Sequence, residues 1–311
     1  MPSPEWLIER GIGETRMALV EDGRIIEARF VRDGGLPAGT VLEARLRSVG
    51  RNAIGVAEGQ EYLLPKGAPG ITEGAKIRIE VTREALSGAE PWKRPLARVT
   101  DGAPRQAPEL KGREAGDNEL DEAGWLDLID EARTGLVPFQ GGMLRISLTP
   151  AMTLIDVDGQ LAAAELAVAG SRAAAEAIRR HGLGGSIGID LPTVKGKDAR
   201  QEAVNAVDEI LPQPFERTAV NGFGFLQIVR PRNRASLFEL AADRAAFEAR
   251  ALLRQAGREI GAVQLAAHPA VIAVLEANPG WIEQLSRQAG GAVTLRSDPS
   301  LTISGGYAER P

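Results

Sequence analysis

Two aspartates are the residues of this chain whose type and spacing best suit chemistry. Asp156 and Asp190, 34 positions apart, each end a short apolar run that contains isoleucine. Such a run predicts a strand, and a carboxylate at its end lies at the rim of a sheet. Two carboxylates on neighbouring strands can share one hard cation such as Mg²⁺, which commonly acts on phosphate. The pair therefore indicates a metal site for phosphoester chemistry, and the alternative is that each aspartate only begins a turn.

Three arginines form a second group of residues that could bind a ligand. Arg230, Arg232 and Arg234 follow a strand predicted over 225–229. Their alternate spacing would place all three on one face of an extended chain. Guanidinium groups suit phosphate, so this face could hold a nucleic-acid backbone. The alternative is an ordinary solvated strand edge.

A short motif, Trp92-Lys93-Arg94, combines an aromatic ring with two cations. Stacking on the ring and contact with the cations would suit the bases and phosphates of a single strand. Three residues make a weak pattern, and a solvated loop has the same composition.

The distribution of charge keeps nucleic acid open as a ligand despite a net charge of −5. Residues 36–100 carry 10 Lys/Arg against 7 Asp/Glu, whereas residues 101–135 carry 4 against 10. The acidity is thus concentrated in one segment. Cysteine is absent and only two histidines are present, which excludes disulfides, thiolate zinc sites and histidine-rich metal sites. No apolar run reaches the roughly 18 residues of a membrane span, so we expect a cytoplasmic protein without membrane contact.

The pattern of elements predicts an α/β (α+β multidomain) protein. Short strands separated by glycines predict a small OB-type β-barrel near the N-terminus, and alternating strands and helices predict a layered α/β domain after it. The expected units are a β segment (1–38) packing on the catalytic body, an RNA-binding barrel (39–100), an acidic flexible linker (101–120), the catalytic α/β domain (121–240) and a C-terminal α/β subdomain (241–311).

Several motifs together resemble the ribonuclease E/G family. Gly13-Glu14-Thr15-Arg16-Met17-Ala18-Leu19 resembles the family's opening strand, and 39–83 resembles its OB-type domain. The motifs around the aspartates, 141–158 and 184–190, resemble the strands that carry the family's metal ligands. The motif 222–232 resembles the strand that closes the catalytic domain. The resemblance runs in order through most of the chain, and the aspartate motifs are its specific part.

The resemblance implies a Mg²⁺-dependent endoribonuclease that cuts single-stranded RNA and leaves a 5′-phosphate and a 3′-hydroxyl. Asp156 and Asp190 would hold the metal, and Asp158 would assist where the family usually has asparagine. The residues implied to bind RNA are Tyr62, Lys93, Arg230 and Arg232.

The chain also departs from the family. The segment after the barrel is too short for the family's 5′-sensor domain, and the absence of cysteine means that no zinc-linked tetramer is expected, while a homodimer stays open. Asp158 adds a carboxylate whose unscreened repulsion of a charge near 4 Å is about 4 kcal/mol at an effective dielectric constant of 20. A catalytically weakened or inactive RNA-binding protein is therefore the alternative function, and a phosphoesterase acting on another nucleic acid is a third.

Overall fold

A computed structural model describes residues 3–86 and 93–311 and shows a mixed α/β protein. The chain begins with three antiparallel strands, β1 (Glu5–Arg10), β2 (Glu14–Glu21) and β3 (Arg24–Arg32). Asp22 and Gly23 make the tight turn between β2 and β3, and both have positive φ, as a two-residue hairpin turn requires. Buried residues of these strands, among them Leu7 and Ala18, belong to the main hydrophobic core.

A closed five-stranded barrel follows and fits the predicted OB-like barrel. Its strands are β4 (Val41–Ser48), β5 (Ala53–Ala57), β6 (Gln60–Leu64), β7 (Lys76–Arg83) and β8 (Leu96–Val99). They are hydrogen-bonded in the order β4-β5-β6-β8-β7, and β7 closes the barrel against β4. The barrel has its own core, in which Leu46, Leu64 and Ile79 are fully buried, because alternate residues of each strand point inward.

The segment predicted as a flexible linker is fastened to the rest of the protein. Arg105 exchanges two backbone hydrogen bonds with Val41, of 2.9 and 3.0 Å. Further on, β9 (Arg113–Glu114) lies parallel to β1 as the fourth strand of the N-terminal sheet. Its side chains form ion pairs with Glu5 and Arg10 of β1. The expectation of a free tether is therefore wrong, because these charges and backbone groups are paired with neighbouring elements.

The central sheet has six strands, in the order β10-β11-β12-β13-β15-β14. Two short helices, α1 (Glu119–Glu122) and α2 (Trp125–Thr134), precede it. The strands and the helices between them are β10 (Leu136–Phe139), β11 (Gly142–Leu148), β12 (Thr153–Gly159), α3 (Ala163–Arg180), β13 (Gly185–Asp190), α4 (Lys197–Ile210), β14 (Glu216–Arg217) and β15 (Phe225–Arg230). Among these pairs only β12 and β13 run parallel, which is the arrangement that brings two strand ends to the same edge.

The two faces of the central sheet differ. On β12, Ile155 and Val157 point into the core, and Leu154, Asp156 and Asp158 point to solvent. Helix α3 packs closely under the buried face, since a Cβ at its Gly170 would lie 2.3 Å from a methyl group of Val157. In the described part of the chain, α3 is also the longest helix, and no helix there is long and apolar enough to cross a membrane.

Most of the C-terminal part has a separate core, in which Leu253, Val263 and Leu285 are buried, whereas Leu237, Phe238 and Phe247 belong to the main core. The C-terminal part consists of α5 (Leu237–Ala242), α6 (Arg244–Ala256), β16 (Val263–Ala267), α7 (Pro269–Glu276), α8 (Pro279–Ala289), β17 (Val293–Ser297) and β18 (Tyr307–Glu309). The strands form a three-stranded sheet in the order β17-β16-β18. Asp243 separates α5 from α6, and its side chain caps α6 by accepting a hydrogen bond from the Ala246 N–H.

Candidate metal centre on the open face of the central sheet

The two aspartates lie side by side. The parallel register of β12 and β13 pairs Asp156 with Asp190 and pairs the buried residues Ile155 and Ile189 one position earlier. Adjacent strands are about 4.8 Å apart, so both carboxylates project side by side from the same open face of the sheet. Both side chains are exposed, and a cation could reach them from solvent.

Negative charge accumulates at this edge. Asp158 projects from β12 on the same face, two residues beyond Asp156, and Arg145 of β11 lies opposite Asp156. Partial burial raises the pKa of Asp156, the charges of Asp158 and Asp190 raise it further, and Arg145 opposes them. Because the folded-state pKa is raised, ionising Asp156 costs stability as the pH rises through and above the ordinary range of an aspartate. A cation bound here would offset that cost.

The donor set fits Mg²⁺ held by two carboxylates. In the described residues, no three or more histidine, aspartate or glutamate side chains gather closely enough to hold a metal ion by themselves. Mg²⁺ does not need such a group, because proteins usually bind it through one or two carboxylates together with water and the phosphates of the substrate. Asp156 and Asp190 match that pattern.

We expect Asp158→Asn to lower the pKa of Asp156, because it removes one of the two negative charges that raise this pKa. Arg145→Gln is the matched opposite and should raise it, since the guanidinium favours the ionised carboxylate. Carbon-13 NMR titration of selectively labelled aspartate side chains would measure both shifts. Equal titration of Asp156 in the wild type and in both variants would show that these side chains are too far apart to interact.

Phe225 covers part of the open face beside the aspartates. It lies opposite Asp190 on β15, and its ring crosses Gly188. A Cβ at Gly188 would lie 2.4 Å from Cζ of Phe225 and 3.1 Å from a methyl group of Leu154. Glycine at this position therefore leaves room for the aromatic ring over the sheet next to the carboxylates.

The structure does not bring Arg230 to the aspartates. Arg230 pairs with Gly185, five residues before Asp190 on β13, which corresponds to about 17 Å along the strand. It also shares its face of β15 with Ile228, which is fully buried, and so projects from the opposite face of the sheet. Alternate residues of a strand point to opposite faces, so Arg230 and the aspartates lie on different faces of the sheet, and the RNA contact predicted for Arg230 would be separate from the aspartates.

Arg232 and Arg234 are engaged elsewhere. Arg232 forms an ion pair with Glu239, whose carboxylate also accepts a hydrogen bond from the backbone N–H of Ser236 in the capping box of α5. Arg234 lies 3.4 Å from Glu27 of β3. These side chains join β15 to its neighbours at the end of the strand remote from Asp190, so Arg232 does not lie at the aspartates either.

Tyr62 cannot stack on an RNA base in this fold. Its side chain lies in the core of the barrel with 3% exposure, and burial raises its pKa, with a further contribution from Glu58. The expectation of an exposed aromatic ring is wrong, because Tyr62 is one of the residues of β6 whose side chains point into the barrel. Lys93 is half-buried, and Trp92 lies outside the described residues.

The barrel does present a basic side. Arg45 of β4 lies beside Lys76 of β7, and Arg78 lies two pairs further on, opposite Glu43. Arg45 donates to the Gly74 carbonyl over 2.7 Å, and Arg47 forms an ion pair with Glu61. All four cations are exposed on neighbouring strands, so an anionic strand could lie across them.

Two residues of the open face escaped prediction. Arg145 gave a signal, because it alternates with the buried Leu144 and Ile146 and therefore had to face outward beside β12. Phe223 also gave one, because glycines on both sides of an aromatic residue indicate an exposed turn. Neither signal shows that the residue lies near the aspartates, since that depends on sheet order.

Comparison with known proteins does not assign the chain. No protein-family model matches it. No curated protein matches it either. The chemistry of the open face therefore rests on the geometry described above and on the motifs in the sequence.

Proposed function

We propose that the protein is a cytoplasmic, Mg²⁺-dependent endoribonuclease that cuts single-stranded RNA. The observation that supports this most directly is the register of β12 and β13, which sets Asp156 beside Asp190 on the exposed face of the central sheet. The raised pKa of Asp156 adds support, because partial burial and then the charges of Asp158 and Asp190 disfavour the ionised carboxylate, and a divalent cation would offset both effects.

The roles follow from position. Asp156 and Asp190 hold Mg²⁺, which when bound supplies a Lewis acid for the phosphate and a water of lowered pKa. Asp158 is the carboxylate on the same face that can accept a hydrogen bond from the attacking water. Arg145, opposite Asp156, offers a guanidinium to a phosphate oxygen. The basic side of the barrel holds the rest of the strand.

A second candidate is an RNA-binding protein with little or no cleavage. The exposed cations of β4 and β7 favour it, because they could bind a strand without help from the aspartates. Asp158 also favours it, since its charge repels the phosphate that the site would have to accept.

Cleavage of a labelled single-stranded RNA in Mg²⁺, in EDTA and by Asp156→Asn tests the proposal. We expect cutting by the wild type only in Mg²⁺, with a 5′-phosphate on the downstream product, and a loss of at least about a hundredfold for Asp156→Asn. Asp127→Asn, which makes the same change at an exposed position of α2, is the control and should cut normally.

Two outcomes would contradict the proposal. Binding without cutting, unchanged by EDTA, would establish the RNA-binding protein instead. Equal cutting of single-stranded DNA of the same sequence would show a nuclease that is not specific for RNA, because a site built for RNA can use the 2′-hydroxyl to distinguish the two.

A further inference from the structure

Phe223 is a large apolar side chain left in solvent beside the aspartates. It is 83% exposed, more than any other large hydrophobic side chain among the described residues. It lies two residues before Phe225, the partner of Asp190, in the turn that the Gly224 N–H closes on the Asn221 carbonyl over 3.2 Å. Contact with a ligand would remove this apolar surface from water, which favours binding.

The loop that carries Phe223 is held by hydrogen bonds. The side-chain oxygen of Asn221 accepts from the backbone N–H groups of Phe223 and Phe225, over 2.9 and 3.0 Å. The hydroxyl of Thr193 donates to the Phe223 carbonyl, and the Leu191 N–H donates to the Gly224 carbonyl, both over 3.1 Å. The chain leaving Asp190 and the chain entering β15 are thereby tied together, which fixes the backbone of Phe223 relative to the aspartates.

Cations surround the same loop. A Cβ at Gly222 would lie 3.8 Å from a guanidinium nitrogen of Arg200, and this arginine forms no ion pair within residues 3–86 and 93–311. Lys195 and Lys197 are exposed on the segment that follows Thr193. An exposed ring with cations around it suits a single strand, because the ring meets a base while the cations meet the phosphates.

We propose that Phe223 is a positioning residue on which a base of single-stranded RNA stacks, next to the phosphate held at Asp156 and Asp190. The inference rests on the proposed function and gives its site a determinant for the base as well as for the phosphate. It also supplies the stacking ring that Tyr62, inside the barrel, cannot provide. The cations favour a nucleic acid over a second copy of the chain, because an apolar contact between copies would bury them beside the ring.

Binding of two fluorescent ligands in EDTA tests the inference. One ligand is a uridine decamer, and the other is the corresponding abasic ribose-phosphate decamer, which keeps the phosphates and lacks the bases. We expect Phe223→Ala to weaken binding of the uridine decamer about tenfold and to leave the abasic decamer unchanged. Phe223→Trp should retain the affinity. Ile260→Ala, which removes another highly exposed side chain in the C-terminal unit, is the control and should change neither.

Three results would overturn the inference: an equal loss on both ligands, no loss on either, or a change from dimer to monomer with RNA binding intact. The last would assign Phe223 to contact between copies. Because binding is measured without metal, the result is separate from the cleavage test. A base-dependent loss without any cleavage would remove the proposed reaction and keep the stacking role, whereas normal cleavage without a base-dependent loss would do the reverse.

Discussion

Replacing Asp190 by asparagine is expected to slow RNA cleavage by at least about a hundredfold while RNA binding persists. The side chain keeps its size and its place beside Asp156, but it loses the charge that a divalent cation requires. Loss of metal-assisted chemistry removes several kcal/mol of transition-state stabilisation, and each 1.36 kcal/mol corresponds to tenfold in rate. Single-turnover cleavage and fluorescence anisotropy on the same RNA would measure the two properties separately.

The control for this experiment is again Asp127→Asn, because it makes the same chemical change on an exposed helix position away from the open face. RNA affinity of Asp190→Asn in EDTA should equal that of the wild type or exceed it slightly, since one charge that repels phosphate is gone. A variant that cuts at the wild-type rate would show that Asp190 holds no catalytic metal. A variant that loses binding and cutting together would show that Asp190 supports RNA binding or the fold rather than the reaction.

Arg16→Met is expected to lower the free energy of unfolding by about 3 kcal/mol, at the lower end of the cost of breaking a buried ion pair. Arg16 is only 2% exposed, donates to both carboxylate oxygens of Glu9 over 2.8 and 2.6 Å, and reaches Asp121 over 3.2 Å. Its guanidinium also lies 4.8 Å from the ring centre of Trp125. Methionine would fill much of the space but would leave both carboxylates with fewer partners. Arg254 and Arg258, which also lie near these carboxylates, keep the loss from being larger.

Urea denaturation would measure the change as a lower midpoint at constant slope. Arg10→Met is the matched control on the neighbouring strand, because its ion pair with Glu114 is exposed and should contribute less than about 1 kcal/mol. Similar losses in both variants would mean that burial of Arg16 adds nothing, which would contradict the expected cost.

The barrel and the aspartate pair could be predicted because both depend on local pattern. Glycines between short alternating strands predict a barrel without information about the rest of the fold. The predicted barrel was confirmed. Asp190 ends β13 as its apolar run predicts, whereas Asp156 lies in the middle of β12, which continues to Gly159, so the predicted strand end at Asp156 was wrong. That these two strands are parallel neighbours is a property of the sheet, and β13 could equally have paired elsewhere.

The positions of Arg230 and Tyr62 could not be predicted from the sequence, for a common physical reason. Alternation shows that residues share a face, but it does not say which face packs on the helices. Arg230 follows the parity of the buried Ile228, and Tyr62 follows the parity of the barrel interior. The linker was misjudged differently, because charge and proline content do not reveal that Arg113 and Glu114 have partners on β1.

The attachment of β9 to β1 makes the barrel an insertion with two anchored ends. The chain enters the barrel from β3 and returns to the same sheet at β9, and a 2.9 Å backbone hydrogen bond from Glu84 to Asn233 adds a third connection. A module held in this way keeps a set distance from the central sheet, and in the proposed ribonuclease an RNA bound to its basic side would therefore be held at a high effective concentration relative to the aspartates. The distance between the two surfaces would then set the length of the shortest RNA that can occupy both at once.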